Sequence, residues 1–506
     1  MNLLLRHSRL GRRSDPGYSA KMSSNRAVAS ALPIYLLVHF VLRVLEGEAL
    51  RWDESEQTLF SQCLALGYND QPPVYTWLLW IVFQVTGVSL LGLHVLKSLI
   101  LTAFYIGIFS AARKLAGPKF AILGTLSLLL TPYFAWTALI DGAHTLFVAA
   151  FVPITLLVML QLLERPTSGG FALLGLVVGL GVLAKYNFAI MAIAIPLSLL
   201  TMPAYRSRLR DPRLLWSIAV AAIVVLPHAW WVHGHWHLVS ERPMVRSGVI
   251  ESSGFWDRIF LGLTNLSRTS LLLVGSLLVV LIACFPKDCA RILKQPARSD
   301  QVRWLGRWIA IVFAILLVLV LLGVTKFRTH WLIPLLVLFP VYVFARFAEQ
   351  PSTEKSQRRY RVCLGFAVIA VMVVRLVGIN TDSQEGGKNW GQAKMHADVA
   401  AHISAQGLEQ ATFYGDHPLA CGNIRRSFPQ ATVVCSYYPA FIPESQGESY
   451  AAWEATHMAE PMPVFREWLE KQSVEVRYEQ AAFFQISTEQ PNRGLLRIGL
   501  APVRSK

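Results

Sequence analysis

Residues 72–86 read PPVYTWLLWIVFQVT. Whether this segment crosses a bilayer decides the side on which every later loop of the chain lies. As a helix at ~1.5 Å per residue it reaches roughly 22 Å, short of a hydrocarbon core of about 30 Å. Trp77 and Trp80 are side chains suited to the membrane–water interface. The segment sits among longer apolar stretches, at 31–49, 92–112, 118–135, 142–162, 170–184, 187–203, 213–232, 258–284, 304–323, 329–348 and 361–379. The chain of 506 residues is 54% hydrophobic and 15% charged, with mean hydropathy +0.44. That composition and those lengths describe a polytopic α-helical membrane protein.

The distribution of Lys and Arg resolves the ambiguous segment. The N-terminal residues 1–30 carry Arg6, Arg9, Arg12, Arg13, Lys21 and Arg26 and no apolar core, so they read as a cytoplasmic tail rather than a cleaved signal. If 72–86 stays out of the bilayer core, the basic loops at Arg113, Lys114 and Lys119, around Arg165, at Arg206–Arg213, from Lys287 to Arg307 and from Arg346 to Arg361 share the cytoplasmic side. If it crosses, all of them flip outward. The expected architecture is therefore about eleven transmembrane helices over 31–379. Two interfacial helices, 54–66 and 72–86, join them on the outer face. Leu59, Phe60, Cys63 and Leu64 give the first a narrow apolar stripe. Asn69 or Asp70 is a candidate cap for the second. The net charge of +16 is absorbed by topology, so nucleic acid is excluded as a partner.

Residues 380–506 are polar and mixed, and read as a small outer α/β or α+β domain. Strands are expected at 411–414, 431–435, 474–478 and 483–486, and helices at 392–406 and 463–471. Cys421 and Cys435 lie there and are candidates for a disulfide if that side is oxidising.

Parity collects ionisable residues from distant segments on the outer face. Asp53, Glu54, Glu56 and Asp70 follow the first span, Asp141 opens a later one, Lys185 and Tyr186 sit in a break between two spans, and Lys326 and Arg328 precede another. Ionisable groups at a membrane edge are costly and usually functional. Each also has a structural reading. Asp53 and Asp141 can cap helices, and the cations can snorkel. Basic residues are scarce on the outer side, however, and three beside spans favour an anionic partner such as a phosphate. His233, His235 and His237 form an HxHxH run on the same side, weak candidates for a divalent metal. Residues 233–257 are placed to close over a bound substrate.

Several motifs together resemble a known family. They are Trp52-Asp53-Glu54, the Gly67-Tyr68-Asn69-Asp70-Gln71-Pro72-Pro73 run, Leu139-Ile140-Asp141, the segment 179–186 (GLGVLAKY) and the segment 325–334 (TKFRTHWLIP). Over residues 30–345 the chain resembles bacterial polyprenyl-phosphate-sugar-dependent glycosyltransferases of the GT-C, protein-mannosyltransferase-like group (glycosyltransferase families 39 and 83). These include lipid A aminoarabinose transferases and lipopolysaccharide galacturonosyl transferases. The resemblance implies an inverting transfer of sugar from a polyprenyl (undecaprenyl) phosphate donor to lipopolysaccharide core or lipid A. It implies a catalytic Asp53 with Glu54 and Asp141 beside it. Asp70, Lys185, Tyr186, Lys326 and Arg328 would hold substrate, at the periplasmic face of the inner membrane. Aminoarabinose transferases carry Glu-Lys before the paired prolines, where this chain has Asp70-Gln71. That difference points toward the galacturonosyl-like branch. A protein O-mannosyltransferase and a lipid-linked sugar flippase are the alternatives.

Overall fold

The computed structural model describes residues 32–44, 50–139, 142–249, 254–350, 352–380, 397–444, 447–455, 460–486 and 496–505. Among them, seven helices are long and apolar enough to cross a membrane: Leu90–Leu130, Ala143–Glu164, Leu214–Gly234, Phe255–Cys284, Asp300–Leu321, Thr329–Ala348 and Glu354–Val377. Shorter apolar helices occupy Leu32–Val44, Val74–Thr86, Ser168–Ala184 and Phe188–Leu200. Each apolar stretch named from the sequence is mainly helical over its described residues. The two at 92–112 and 118–135 are one long rod broken at Gly117, whose φ of 70° is a left-handed value open to glycine. Pro118 follows at the first position of the continuing helix, where its missing N–H costs nothing.

The helices pack through small residues. Gly175 lies where Ser168–Ala184 meets Leu214–Gly234, and a Cβ there would fall 2.3 Å from the Ser217 carbonyl oxygen. Gly179, one turn on, meets Val224 and Ala221 in the same way. This small-xxx-small spacing lets two backbones touch in an apolar medium, where dispersion rather than water release drives association. One continuous apolar core runs through the array.

The acidic helix is Trp52–Phe60, shorter than the expected 54–66, and it is followed by a loop to Pro73. The next helix, Val74–Thr86, buries Tyr75, Leu79 and Phe83 at i, i+4 and i+8. Neither Asn69 nor Asp70 caps it: Pro73 holds the cap position, and Asn69 Oδ1 accepts from the Gln71 N–H at 2.8 Å in a local turn.

The C-terminal region holds a mixed sheet of six strands: β1 (Thr412–Gly415), β2 (Thr432–Cys435), β3 (Ser449–Glu454), β4 (Val474–Val476), β5 (Ala482–Ile486) and β6 (Leu496–Ser505). The order is β2-β1-β3-β6-β4, with β5 also paired to β6. β1 runs parallel to β2 and β3, and β6 antiparallel to β3, β4 and β5. Helix Pro418–Ser427 makes the β1–β2 crossover. A helix at 397–405 and another at Pro463–Lys471 match the expected pair. β3 and β6 were not anticipated, and the sequence gives the reason. β3 places Ala451 and Ala452 at its centre, and β6 contains Gly499 and Pro502, residues that weaken a strand signal.

This sheet region is seated on the acidic helix. Gly422 lies so close that a Cβ there would be 2.5 Å from the Ser55 Cα. Leu50 N–H donates to Asn423 Oδ1 at 3.1 Å. The Gln62 amide pairs with the Val433 backbone in both directions, at 2.9 and 2.8 Å. Cys421 and Cys435 are both buried and both free thiols, one on the docking helix and one at the end of β2.

Candidate active site

Asp53 and Glu56 stand three residues apart on the acidic helix, on one face. Both line a cavity of roughly 490 Å³. Asp70 and Gln71 come to it from the loop that follows. Tyr133, His144 and Thr145 come from the segment around the start of helix Ala143–Glu164, and Lys185 from the break after Ser168–Ala184. Arg246, Arg328 and His330 complete the polar wall. Elements far apart in sequence thus meet in one polar chamber.

Asp53 Oδ2 accepts from the Ala143 N–H at 3.2 Å. Its carboxylate therefore lies at the amino end of helix Ala143–Glu164, where free N–H groups and the helix dipole favour negative charge. The reading of Asp53 as a cap of its own helix gives way to this contact: the acidic helix starts from Arg51, whose N–H donates to Glu54 Oε2 at 3.0 Å.

Glu56 is half-buried and accepts from the Tyr438 hydroxyl at 2.8 Å and from Gln57 Nε2 at 3.2 Å. Burial pushes its carboxyl up to about 8, and the Asp53 charge pushes the same way, while the Tyr438 hydrogen bond opposes them. Gln57 also faces His144 Nε2 at 3.1 Å and accepts from the Thr76 hydroxyl at 2.6 Å. His144 Nδ1 lies 3.2 Å from the Ala184 carbonyl. That oxygen can only accept, so Nδ1 carries the proton and Nε2 accepts from Gln57.

Lys185 is buried and donates to Thr145 Oγ1 at 2.8 Å, which replaces the snorkelling reading. Burial brings its ammonium down to about 8, held up in part by Asp53 and Asp70. Asp70 pairs with Arg246 at 2.9 Å, and Arg242 approaches at 4.0 Å. Both arginines lie on helix Trp236–Ser247, inside the segment expected to cover the substrate. The loop before Arg328 is pinned by its backbone. Thr325 and Lys326 N–H groups donate to the Ser247 carbonyl at 3.0 Å each, and Thr269 donates to the Phe327 carbonyl at 3.0 Å.

Three residues expected at the site lie away from the cavity. Glu54 is fully buried on another face of the helix, bound to Arg43 at 2.8 Å and Lys97 at 2.9 Å. Burial opposes its charge, yet Lys97 and Arg43 hold the carboxyl well below the usual range. Tyr186 bonds His228 Nε2 at 2.8 Å, and His228 Nδ1 bonds the Leu66 carbonyl at 2.6 Å. The tyrosine is thus a strut between a span and the loop after the acidic helix. Lys326 is exposed outside the cavity wall. Asp141 lies outside the described residues. Among the described residues, no three His, Cys, Asp or Glu side chains converge as a metal site. His235 stacks on Trp231 and bonds its carbonyl, and His237 pairs weakly with Glu241, so the HxHxH run does not fit a metal centre. Glu56 was named among the outer-face acids but given no role at the site, and His144, Arg246, His330 and Tyr438 were not singled out from sequence. Glu56 carried a signal, its i+3 spacing from Asp53, and the others meet only through tertiary structure.

Residues 70–231 match the family model described as dolichyl-phosphate-mannose-protein mannosyltransferase. Over 442 residues the chain is 30% identical to the lipopolysaccharide core galacturonosyltransferase RgtA of Rhizobium johnstonii, spanning 85% of this chain and 86% of that one. This chain belongs to the GT-C glycosyltransferases of the protein-mannosyltransferase-like group. A shorter match, 29% over 180 residues, links this glycosyltransferase to the lipid A galacturonosyltransferase RgtD of the same organism, over 35% of this chain and 37% of that one. The fold matches that of ArnT from Cupriavidus metallidurans bound to undecaprenyl phosphate. The TM-score is 0.62 at 14% identity, over 94% of this chain and 97% of that one. The GT-C fold expected from the sequence motifs is the fold observed, in a multi-span membrane protein.

Proposed function

We propose that this glycosyltransferase moves a sugar, galacturonic acid foremost, from a polyprenyl phosphate carrier to lipopolysaccharide core or lipid A. The reaction would take place at the periplasmic face of the inner membrane. The observation that carries the reading is the meeting of Asp53 with Lys185, Arg246 and Arg328 around one cavity. A sugar phosphodiester needs charge neutralisation where its leaving phosphate departs, and cations on the cavity wall supply it.

In the reaction, an acceptor hydroxyl oxygen bonds to the anomeric carbon from the side opposite the phosphate. The bond from that carbon to the phosphate oxygen breaks, and its electron pair stays on the polyprenyl phosphate. Asp53 takes the hydroxyl proton as general base, and attack from the face opposite the phosphate inverts the anomeric configuration. Lys185 and Arg328 face the departing phosphate. Arg246, tied to Asp70, closes the chamber from helix Trp236–Ser247. The 85% coverage by a lipopolysaccharide core galacturonosyltransferase favours a uronic acid and a glycolipid acceptor over mannose and a protein.

The purified protein is incubated with radiolabelled polyprenyl-phosphate galacturonate or mannose, and with lipopolysaccharide core or a Ser/Thr-rich peptide. Label moving from the galacturonate donor to the core supports the reading. Label on the peptide from the mannose donor sinks it.

A further inference from the structure

Glu56 shares the cavity with Asp53 but is held from the opposite direction. Tyr438, which bonds it at 2.8 Å, belongs to the segment just after β2, in the C-terminal sheet region. The Tyr438 ring is itself fixed edge-on against Phe60, with centroids 4.8 Å apart. Among the described residues, the charged groups on the cavity wall divide evenly: the acids are Asp53, Glu56 and Asp70, and the cations are Lys185, Arg246 and Arg328. With all six ionised their charges sum to zero, and protonation of Glu56 shifts that sum by one positive charge.

The groups facing Glu56 are Asp53 on its own helix, Asn69 and Asp70 on the following loop, and Tyr438 from the sheet region. Across the cavity stand Lys185, Arg246, Arg328, His144 and His330. Two carboxyls side by side in one chamber do not both ionise readily, because each raises the cost of charging the other. Asp53 has the N–H of Ala143 to favour its charge. Glu56 has the Tyr438 hydroxyl and the Gln57 amide, with Asn69 acting the same way, yet burial and then the Asp53 and Asp70 charges push its carboxyl up to about 8.

We propose that Glu56 is the specificity-determining residue for an anionic lipid, protonated when the donor binds, with Tyr438 of the sheet region as its positioning residue. The inference rests on the donor reading above. A neutral Glu56 leaves the cations one charge in excess, and that excess admits a phosphate. Ionisation of Glu56 cancels it.

The full chain in zwitterionic nanodiscs is titrated with undecaprenyl phosphate at about pH 6.5 and about pH 9.5, on either side of the Glu56 midpoint. Wild type and Glu56→Gln are expected to bind alike at the lower pH. At the higher pH Glu56→Gln should bind about tenfold more tightly than wild type. Loss of the Lys185 proton and ionisation of the ligand are common to both proteins, so the ratio isolates Glu56. Infrared difference spectra between the two pH values should contain a protonated-carboxyl band that Glu56→Gln lacks. Tyr438→Phe removes a hydrogen bond that favours the ionised form, and should move that band's midpoint to higher pH. Equal pH dependence of binding in wild type and Glu56→Gln overturns the proposal. So does the absence of the carboxyl band in wild type, whatever the variants do. If lipid binds and the ratio does not change, the donor reading survives and only this inference falls. If neither protein binds at either pH, the donor reading falls and takes the inference with it.

Discussion

Glu54→Gln separates a structural acid from a chemical one. Glu54 is completely buried, with Oε2 at 2.8 Å from Arg43 and Oε1 at 2.9 Å from Lys97. His94 stands 3.7 Å away, and the Arg51 N–H donates to the same carboxyl at 3.0 Å. Neutralising it leaves two buried cations without the carboxylate they share. The amide also turns an N–H₂ group toward a donor. Breaking a buried pair in this way costs about 3–5 kcal/mol. The acidic helix is held between the first span and the long rod by this cluster, so Asp53 should be displaced along with it. The apparent melting temperature of the detergent-solubilised protein should fall by roughly 5 °C or more. Glu54→Gln combined with Lys97→Met should recover part of the loss, because the second change removes a stranded charge. A Glu54→Gln protein that melts like wild type but has lost transfer would refute this reasoning and make Glu54 a participant in the chemistry.

Other perturbations probe the remaining walls of the site. Lys185→Ala should raise the donor KM at least about tenfold, or about 1.4 kcal/mol, with a smaller change in kcat; an unchanged donor KM would leave Lys185 a structural partner of Thr145 rather than a donor contact. Gly422→Ala drives a Cβ to within 2.5 Å of the Ser55 backbone. It should cost about 1–3 kcal/mol and loosen the sheet region from the acidic helix. Limited proteolysis would register this as faster cleavage after residue 380, and wild-type resistance would argue against the docking described. Burial raises the Asp416 carboxyl to about 6, so its ionisation opposes folding as pH climbs from about 4 through 6. Asp416→Asn should therefore raise the melting temperature near pH 8 and leave it unchanged near pH 4, whereas equal shifts at both would contradict that sign.

The helical array was legible because an apolar run of sufficient length has few other fates in a bilayer, and the described part of each long apolar stretch is mainly helical. Asp53 was legible for a related reason: a carboxylate directly after a span is costly unless used. Glu54 was misread as its partner. Glu54 is turned from the cavity by its pairing with Arg43 and Lys97, whereas Glu56, at i+3 from Asp53, shares the Asp53 face. Arg246, His330 and Tyr438 carry no local pattern, and only tertiary packing brings them to the acidic helix. Lys326 and Arg328 look equivalent in sequence, yet the backbone bonds from Thr325 and Lys326 to Ser247 fix a loop in which only Arg328 lines the cavity. The sheet region was half visible. Strands rich in β-branched and aromatic residues stood out, while β3 and β6 were hidden by alanine, glycine and proline.

The account depends most on Asp53 as the group that takes the acceptor's proton. The direct measurement is single-turnover transfer by Asp53→Asn, with donor preloaded and acceptor in excess. Transfer should drop by about 10²–10⁴-fold while the melting temperature stays at the wild-type value and undecaprenyl phosphate binding is not weakened. Turnover close to wild type would contradict the assignment and leave the chamber a binding site whose chemistry lies elsewhere.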